Sequence, residues 1–436
     1  QNKLDNQLTK VFVLKLDLTN PYLEIKSLIG TDGTLAGRAT VSQLAAAREN
    51  TVAVVNGGFF VPNDGKPVGV LIADGTLVSS PNMRGDMPAF ALDKKLLPFF
   101  GFFRFTGEVK AANGKTYPLF GVNKTAYNLK DGSPSDANHL TLYDRRWGKT
   151  PRGAHPDYPE AMVARVENNV VKEVLPAKDA RFEIPANGYV LWGAGAAAEF
   201  IRQNLLAGQP VAVSCRTVPD YQNFKLATGS NSFLVQNAQV ARFQEELKGK
   251  TARTAVGTSR EGKDLYFVVV EKSPQSNGME QKDLAVFLVR LGIEEAVNLD
   301  GGGSTTLAAR RLEGGLAAIF FARLAVVEAP DREAQLRVVA RFPAREADVV
   351  GEAGALRGRR HEAEALVRDP ALALGPPLEH EPALDGGHRA VPAALGKGHT
   401  IGGAMRQQFD RAGIGGGGRA SEQHGEGDSG GRCGHH

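Results

Sequence analysis

Asn298-Leu299-Asp300-Gly301-Gly302-Gly303-Ser304-Thr305-Thr306 closes a hydrophobic ramp, Ile293 to Val297, that itself follows a helical-looking segment from Gln281 to Leu291. The order reads helix, short turn at Gly292, buried strand, then a glycine-rich loop with one acid and three hydroxyls. A short apolar run bounded by glycine has the look of a core strand. Three consecutive glycines reach backbone angles that other residues avoid and let a ligand approach the main chain. Free N–H groups in such a loop form a concavity suited to anions such as phosphate. Asp300 stands where strand meets loop, so its carboxylate is expected to project into that concavity. A tight turn with a capping Asp would explain a lone Asp-Gly-Gly, but it does not account for nine specific residues in a row.

Upstream, Val11 to Leu16 reads as a strand with Tyr22 to Leu28 as its partner across an Asn20-Pro21 turn. Thr40-Val41-Ser42-Gln43 opens a short helix through Ala47, capped by Thr40 or Ser42. Val52 to Val55 is a buried strand running into Asn56-Gly57-Gly58-Phe59-Phe60, the second conspicuous motif; two core phenylalanines after a tight turn are its plainer reading. Ala73-Asp74-Gly75 marks a hairpin between Val68–Ile72 and Thr76–Val78. Phe90 to Phe120 reads as a meander, 161–166 and 170–174 pair around Glu167-Asn168-Asn169, and Ala196 to Leu206 is an amphipathic helix. Leu226 to Val235, Ala238 to Phe243, Arg253 to Gly257 and Leu265 to Val270 complete a strand-rich second half. The expected class is α+β, with mixed sheets and a few packed helices.

With 436 residues, 42% hydrophobic and 23% charged, the chain has the composition of a soluble globular protein. A net charge of +4 is too small for this length to argue for nucleic acid, and no apolar run approaches the ~18 residues of a membrane span. Cys215 and Cys433 lie far apart without metal-ligand spacing, so neither a disulfide framework nor a zinc site is indicated. The chain starts at Gln1 with no basic-then-apolar leader; on this reading a signal has been removed or is absent from this chain. Composition shifts after the glycine loop: the last Asn is Asn298, the last Tyr is Tyr266, and Ala, Arg, Gly and Pro dominate thereafter. The expected organisation is a domain over 1–307 and an atypical tail over 308–436, either disordered or translated from a shifted frame in a GC-rich gene. Sequencing the gene across codons 307–315 decides between them.

Together these motifs resemble the phosphodiester glycosidase family. The pieces that carry the resemblance are Val54 through Phe60, Pro67-Val68-Gly69 with Asp74-Gly75, Ala227-Thr228-Gly229 through Val235, and Arg253 through Gly257. Asn277-Gly278-Met279 with Asp283-Leu284-Ala285, and Asn298 through Thr306, complete the set, which is strongest over 40–307. Where relatives tend to have Gly-Gly-x-Pro, this chain has Gly229-Ser230-Asn231-Ser232, and the family's closing strand after the glycine loop is not found. An edge left open in this way exposes unpaired backbone groups.

The resemblance implies hydrolysis of a sugar-1-phosphodiester, of the N-acetylglucosamine-α-1-phosphate type, at the glycosidic bond. It also implies a secreted or cell-envelope location and a glycan substrate. Such chemistry needs a carboxylate for an oxocarbenium-like centre or for water, and donors for the phosphate. Asp300 is the candidate carboxylate, and Arg253 is a candidate for bidentate phosphate contact, with a surface or ion-paired Arg as the plainer reading. Asn56 is a candidate to bind a sugar hydroxyl or to hold Asp300. Gly57, Gly58, Gly229, Asn298, Gly301, Gly302, Gly303, Ser304 and Thr305 are the candidate substrate-binding residues. Glu199, Asp74 and Asp64 are open choices for a second carboxylate. No cofactor is expected, and one acid with hydroxyls is a thin set for a divalent cation.

Rival classes fare worse. The glycine loop lacks the Gly-Lys-Ser/Thr of a nucleotide phosphate loop. Gly257-Thr258-Ser259-Arg260-Glu261 lacks the second glycine of a nucleophile elbow. A non-catalytic carbohydrate-binding protein of the cell envelope is the alternative that remains.

Overall fold

The strand Ile293–Asn298 lies inside a seven-stranded sheet, between Ser232–Gln236 and Arg253–Ser259, in a computed structural model of the chain. The structure describes residues 9–30, 32–48, 51–62, 64–129, 132–310, 319–320 and 327–329. All of them fall in the first of the chain's two units, Gln1–Pro376.

The seven strands run in the order Gln239–Val240, Ser232–Gln236, Ile293–Asn298, Arg253–Ser259, Asp264–Val270, Thr9–Asp17, Val327–Ala329, and every pairing is antiparallel. The helix Gln281–Arg290 packs on this sheet through Leu284, Ala285 and Leu288, which are buried with Ala255, Val268 and Ile293. Their i, i+1, i+4 spacing makes the one apolar stripe that the sheet can cover.

A second seven-stranded sheet holds Val170–Pro176, Met162–Glu167, Gly188–Gly193, Leu140–Tyr143, Thr116–Val122, Arg104–Ala111 and Val211–Val218. It is mixed, because Thr116–Val122 and Leu140–Tyr143 run parallel. The helix Ala196–Asn204 covers it with Ala197, Phe200 and Ile201. A five-stranded sheet, Thr76–Ser79, Leu71–Ala73, Phe224–Gly229, Pro88–Asp93 and Pro98–Phe102, shares its buried side chains with both larger sheets. Ala53–Val55, Leu307–Arg310 and Ile319–Phe320 form a small third layer.

Strands dominate and helices are few, and local chemistry explains many of the boundaries. Thr40 caps the helix Val41–Ala46 in a reciprocal capping box with Gln43. Asp74 and Gly75 take φ of 46° and 75°, the pair of left-handed residues a two-residue hairpin turn requires. Asn168 and Asn169 do the same for the hairpin that follows Met162–Glu167.

Three local expectations change. Tyr22 to Leu28 forms no strand: Val11–Asp17 pairs with Asp264–Val270 instead, Val327–Ala329 takes the other edge at Thr9–Val11, and Glu24 and Lys26 pair with each other. Leu226 to Val235 is not one strand but two. Phe224–Gly229 belongs to the five-stranded sheet and Ser232–Gln236 to the first, with Ser230-Asn231 as the crossing. Of Ala238 to Phe243, only Gln239–Val240 pairs.

Beyond the glycine loop, Leu307–Arg310 pairs with Ala53–Val55 across the expected boundary at 307, and Val327–Ala329 takes the edge where no closing strand was legible. The other residues of the 308–436 tail, Cys433 among them, lie outside the described residues.

Candidate active site

Asp300 sits where the chain leaves the first sheet for the small one. Leu299 N–H donates to the Thr254 carbonyl, the last rung towards the neighbouring strand. Asp300 N–H then donates to Gly57 O over 3.2 Å, and Asn56 Nδ2 donates to Asp300 O over 2.8 Å. Asn56 Oδ1 accepts from the Thr254 hydroxyl at 2.8 Å and from Thr306 N–H at 3.0 Å. One amide thus staples the sheet, the Asp300 loop and the small layer together. Its acceptor is fully engaged and its donor already holds Asp300, so Asn56 has little left for a ligand.

The Asp300 carboxylate is partly buried. Its Oδ1 accepts from Gly301 N–H at 2.9 Å. Burial raises its pKa above the ordinary aspartate value, and hydrogen bonds from Ser304 and the Gly301 N–H oppose the rise. No second carboxylate contributes to that shift. Glu199 is tied to Arg202 and Gln203 on its own helix, Asp74 occupies a hairpin turn, and Asp64 caps the N–H of Lys66. Among the described residues no group of three or more His, Cys, Asp or Glu is placed to hold a metal ion.

The glycine loop itself is a short 3-10 turn, Gly302–Ser304, entered at Gly302 with φ of 58°. Its N–H groups are largely engaged. Gly301 donates to Asp300, Gly302 to Ala252 O at 2.8 Å, Ser304 to Gly301 O and Thr305 to Gly302 O. Gly303 N–H has no partner among the described residues, and open space surrounds its Cα. Thr305 Oγ1 is buried without a hydrogen bond.

Two predicted ligands are placed inside the protein. Arg253 is 1% exposed; Nε donates to Met279 O at 2.8 Å and Nη2 to Leu247 O and Gly249 O. It is neither on the surface nor ion-paired: it fastens two loops through their carbonyls, burial lowers its pKa, and Glu280 opposes that shift. Asn298 is likewise 1% exposed and donates to Asn231 Oδ1, leaving its own Oδ1 and Asn231 Nδ2 unpartnered.

A cavity of about 280 Å³ opens at Gly57, whose carbonyl accepts from the Asp300 N–H. Gly57, Gly58, Gly69, Thr228 and Gly229 make one wall, and Arg38, Thr34, Leu44 and Phe60 also line it. That wall is backbone against backbone. A Cβ on Gly229 would lie 2.6 Å from the Gly69 Cα, and one on Gly58 would strike the Gly229 carbonyl, so only glycine fits at either place. Gly58 N–H donates to the Thr228 hydroxyl at 3.0 Å. Behind this wall Lys124, 3% exposed, donates Nζ to the carbonyls of Pro67, Val68 and Gly69. Desolvation lowers its pKa to about 7. Its neighbour Asn123 is wholly buried and bonded to Val78 O and Asp144, so the Asn123-Lys124-Thr125 triplet offers no accessible glycosylation site.

Several of the quoted motifs therefore converge: Gly57, Gly58, Pro67, Gly69, Thr228 and Gly229 line the cavity, and the Asp300 loop is bonded to Asn56 and Gly57. Residues 161–341 match the phosphodiester glycosidase family. That match begins after the Asn56 and Pro67 motifs and runs past 307 to 341.

A hypothetical protein from Synechocystis shares the fold at 20% identity and a TM-score of 0.59, over 70% of this chain and 56% of that one. A Burkholderia pseudomallei protein described as exported does so at 22% identity and 0.57, over 69% of each. The chain thus spans little more than half the Synechocystis protein. The zebrafish N-acetylglucosamine-1-phosphodiester α-N-acetylglucosaminidase catalytic domain matches at 14% identity and a TM-score of 0.32, over 71% of this chain and 75% of that one, and adds nothing to the fold assignment. No curated protein matches the chain.

Arg38, alone in a loop, is not singled out by the sequence; Lys124 stands out only within a glycosylation-type triplet that means little in isolation, and Thr228 and Thr254 only as members of quoted motifs, with no local signal for a role of their own.

Proposed function

We propose that the chain hydrolyses a sugar-1-phosphodiester at its glycosidic bond, with Asp300 as the reacting carboxylate and N-acetylglucosamine-α-1-phosphate diesters as the substrate class. The observation that carries this reading is the placement of Asp300. Its main chain is locked by Gly57 and Asn56, its carboxylate is half-buried with a raised pKa, and Gly57, which accepts from its N–H, lines a cavity. A carboxyl with a raised pKa suits a base that takes a proton and returns it.

Water attacks the anomeric carbon as Asp300 accepts its proton. The bond from that carbon to the phosphate oxygen breaks, and the electron pair leaves with the phosphomonoester. A phosphate leaves readily, so a single carboxylate meets most of the chemical need. Asn56 and Arg253 act at one remove, the first by holding Asp300 and the second by fixing the loops at 247–249 and 279. The Gly303 N–H is the loop's remaining substrate contact. Glycans of the cell exterior are the natural source of such diesters, in keeping with the family and with the exported description of the Burkholderia relative.

The test is release of free N-acetylglucosamine from an α-1-phosphate diester by the purified chain, run beside a thermal melt. Release that disappears in Asp300→Asn supports the assignment. A cooperative melt without release, combined with glycan affinity unchanged in Asp300→Asn, replaces it with a carbohydrate-binding protein.

A further inference from the structure

A sugar phosphodiester carries a negative charge, yet the groups that the sequence offers to receive it are already engaged. Arg253 directs Nε and Nη2 at three carbonyls, and the N–H groups of Gly301 and Gly302 bond within the protein. The lining of the cavity supplies a different cation. Arg38 is exposed and is the charged side chain lining the cavity. It has no carboxylate within ion-pairing distance among the described residues, and its Nη2 donates to Pro62 O at 2.6 Å.

That bond fixes one corner of the guanidinium and leaves Nη1 and Nε for a ligand. Glycine at position 65 is what makes room for it, because a Cβ there would come 2.5 Å from Arg38 Nε. Lys66 lies nearby: burial lowers its pKa, the Asp64 carboxylate opposes that shift, and Arg38 adds to it. Thr34 and Thr228 bring hydroxyls, and Phe60, 40% exposed, offers a ring face of the kind that sugars stack on. At about 280 Å³ the cavity lies at the small end of the ~300–1,000 Å³ range of ligand sites, enough for one sugar phosphate rather than a polymer.

We propose that Arg38 is the anion-recognition residue of this site, holding the phosphate of a sugar-1-phosphodiester against the glycine wall formed by Gly57, Gly58 and Gly229. The proposal rests on the phosphodiester reading above and deepens it: Arg38, on the loop before the first helix, sets the preference for a phosphorylated over a neutral glycoside. A guanidinium suits the role because it meets two phosphate oxygens at once.

The experiment is calorimetric titration of the full chain with N-acetylglucosamine-α-1-phosphate and, separately, with neutral methyl α-N-acetylglucosaminide. It is repeated on Arg38→Ala and Arg38→Lys, with a thermal melt of each. Arg38→Ala is expected to weaken the anionic ligand about tenfold or more while leaving the neutral one unchanged. Arg38→Lys should recover part of the loss, and all three melts should agree within a few degrees because the side chain is exposed. Equal affinity of wild type and Arg38→Ala for the sugar phosphate, or no binding of it by folded wild type, overturns the proposal. Arg38-dependent binding without hydrolysis of any diester leaves Arg38 in place and removes the catalytic reading instead.

Discussion

The side-chain amide of Asn56 donates to the main-chain carbonyl of Asp300 over 2.8 Å, joining residues 244 positions apart in sequence. Because the same side chain accepts from Thr254 and Thr306, it fixes where the Asp300 carboxylate can point. Asn56→Ala leaves several partly buried groups without partners and is expected to lower stability by about 2–4 kcal/mol in urea denaturation. Asn56→Asp keeps the acceptor but loses the donor and brings a second negative charge beside Asp300. Its turnover should fall more than its stability, and equal turnover in Asn56→Asp and wild type would remove the positioning role.

Asp300→Asn keeps an oxygen for the Gly301 N–H and removes the charge. Turnover should disappear. The stability change has a definite sign: a carboxyl whose folded pKa is raised holds its proton longer in the folded state. Folding is therefore penalised as pH rises from the ordinary aspartate value of 3.8 through the raised one, and the penalty stays at higher pH. Asp300→Asn should accordingly melt at or a few degrees above wild type at neutral pH. The acid limb of kcat/KM in wild type should lie above pH 3.8 for the same reason. A limb at or below that value argues against Asp300 as the ionising group.

Two glycines of one wall should respond differently to alanine. At Gly229 the new Cβ meets the Gly69 backbone at 2.6 Å, which cannot yield, and about 1–3 kcal/mol or more of destabilisation is expected. At Gly57 the nearest atom is the Thr228 hydroxyl at 3.4 Å, an ordinary contact, so stability should change by less than ~0.5 kcal/mol. Gly57→Ala nevertheless adds a methyl to the cavity lining, and its effect should appear in KM. Paired melts and kinetics of the two variants separate wall from ligand.

Lys124 gives a second pH dependence, of opposite direction. Its folded pKa of about 7 lies below the ordinary lysine value of 10.5, so between these limits the unfolded chain binds the proton and the folded chain does not. Stability from this group rises with pH across that window, and the full cost of burying the ammonium is present below about 7. The stability difference between wild type and Lys124→Met should grow from pH 7 to about pH 9 in denaturant titrations. A flat difference would place the Lys124 pKa outside the window. Lys124→Met also leaves the carbonyls of Pro67, Val68 and Gly69 without their donor, so the cavity wall should loosen and KM rise.

Much of the fold could be read locally. The Thr40 capping box, the Asp74-Gly75 and Asn168-Asn169 turns, the helix Gln281–Arg290 and the strand Ile293–Asn298 each follow from residues within a few positions of one another. Tyr22 to Leu28 failed because a strand's partner is chosen by the whole sheet. Leu226 to Val235 failed because apolar continuity hides a crossing between two sheets at Ser230-Asn231. Within the site, motif order told which segments matter but not which way their side chains turn.

The sequence by itself determined the strand-rich class, the hairpins and caps, and the glycine-flanked Asp300 after a core strand, since these depend on backbone preference and on apolar period over short spans. Tertiary structure alone decided that Arg253 faces inward to three carbonyls, that Asn56 holds Asp300, and that Arg38 lines the same cavity as Gly57 and Gly229. Those outcomes depend on which polar groups find partners once the chain is packed, and that assignment is settled by competition among groups from 4 to 244 residues apart.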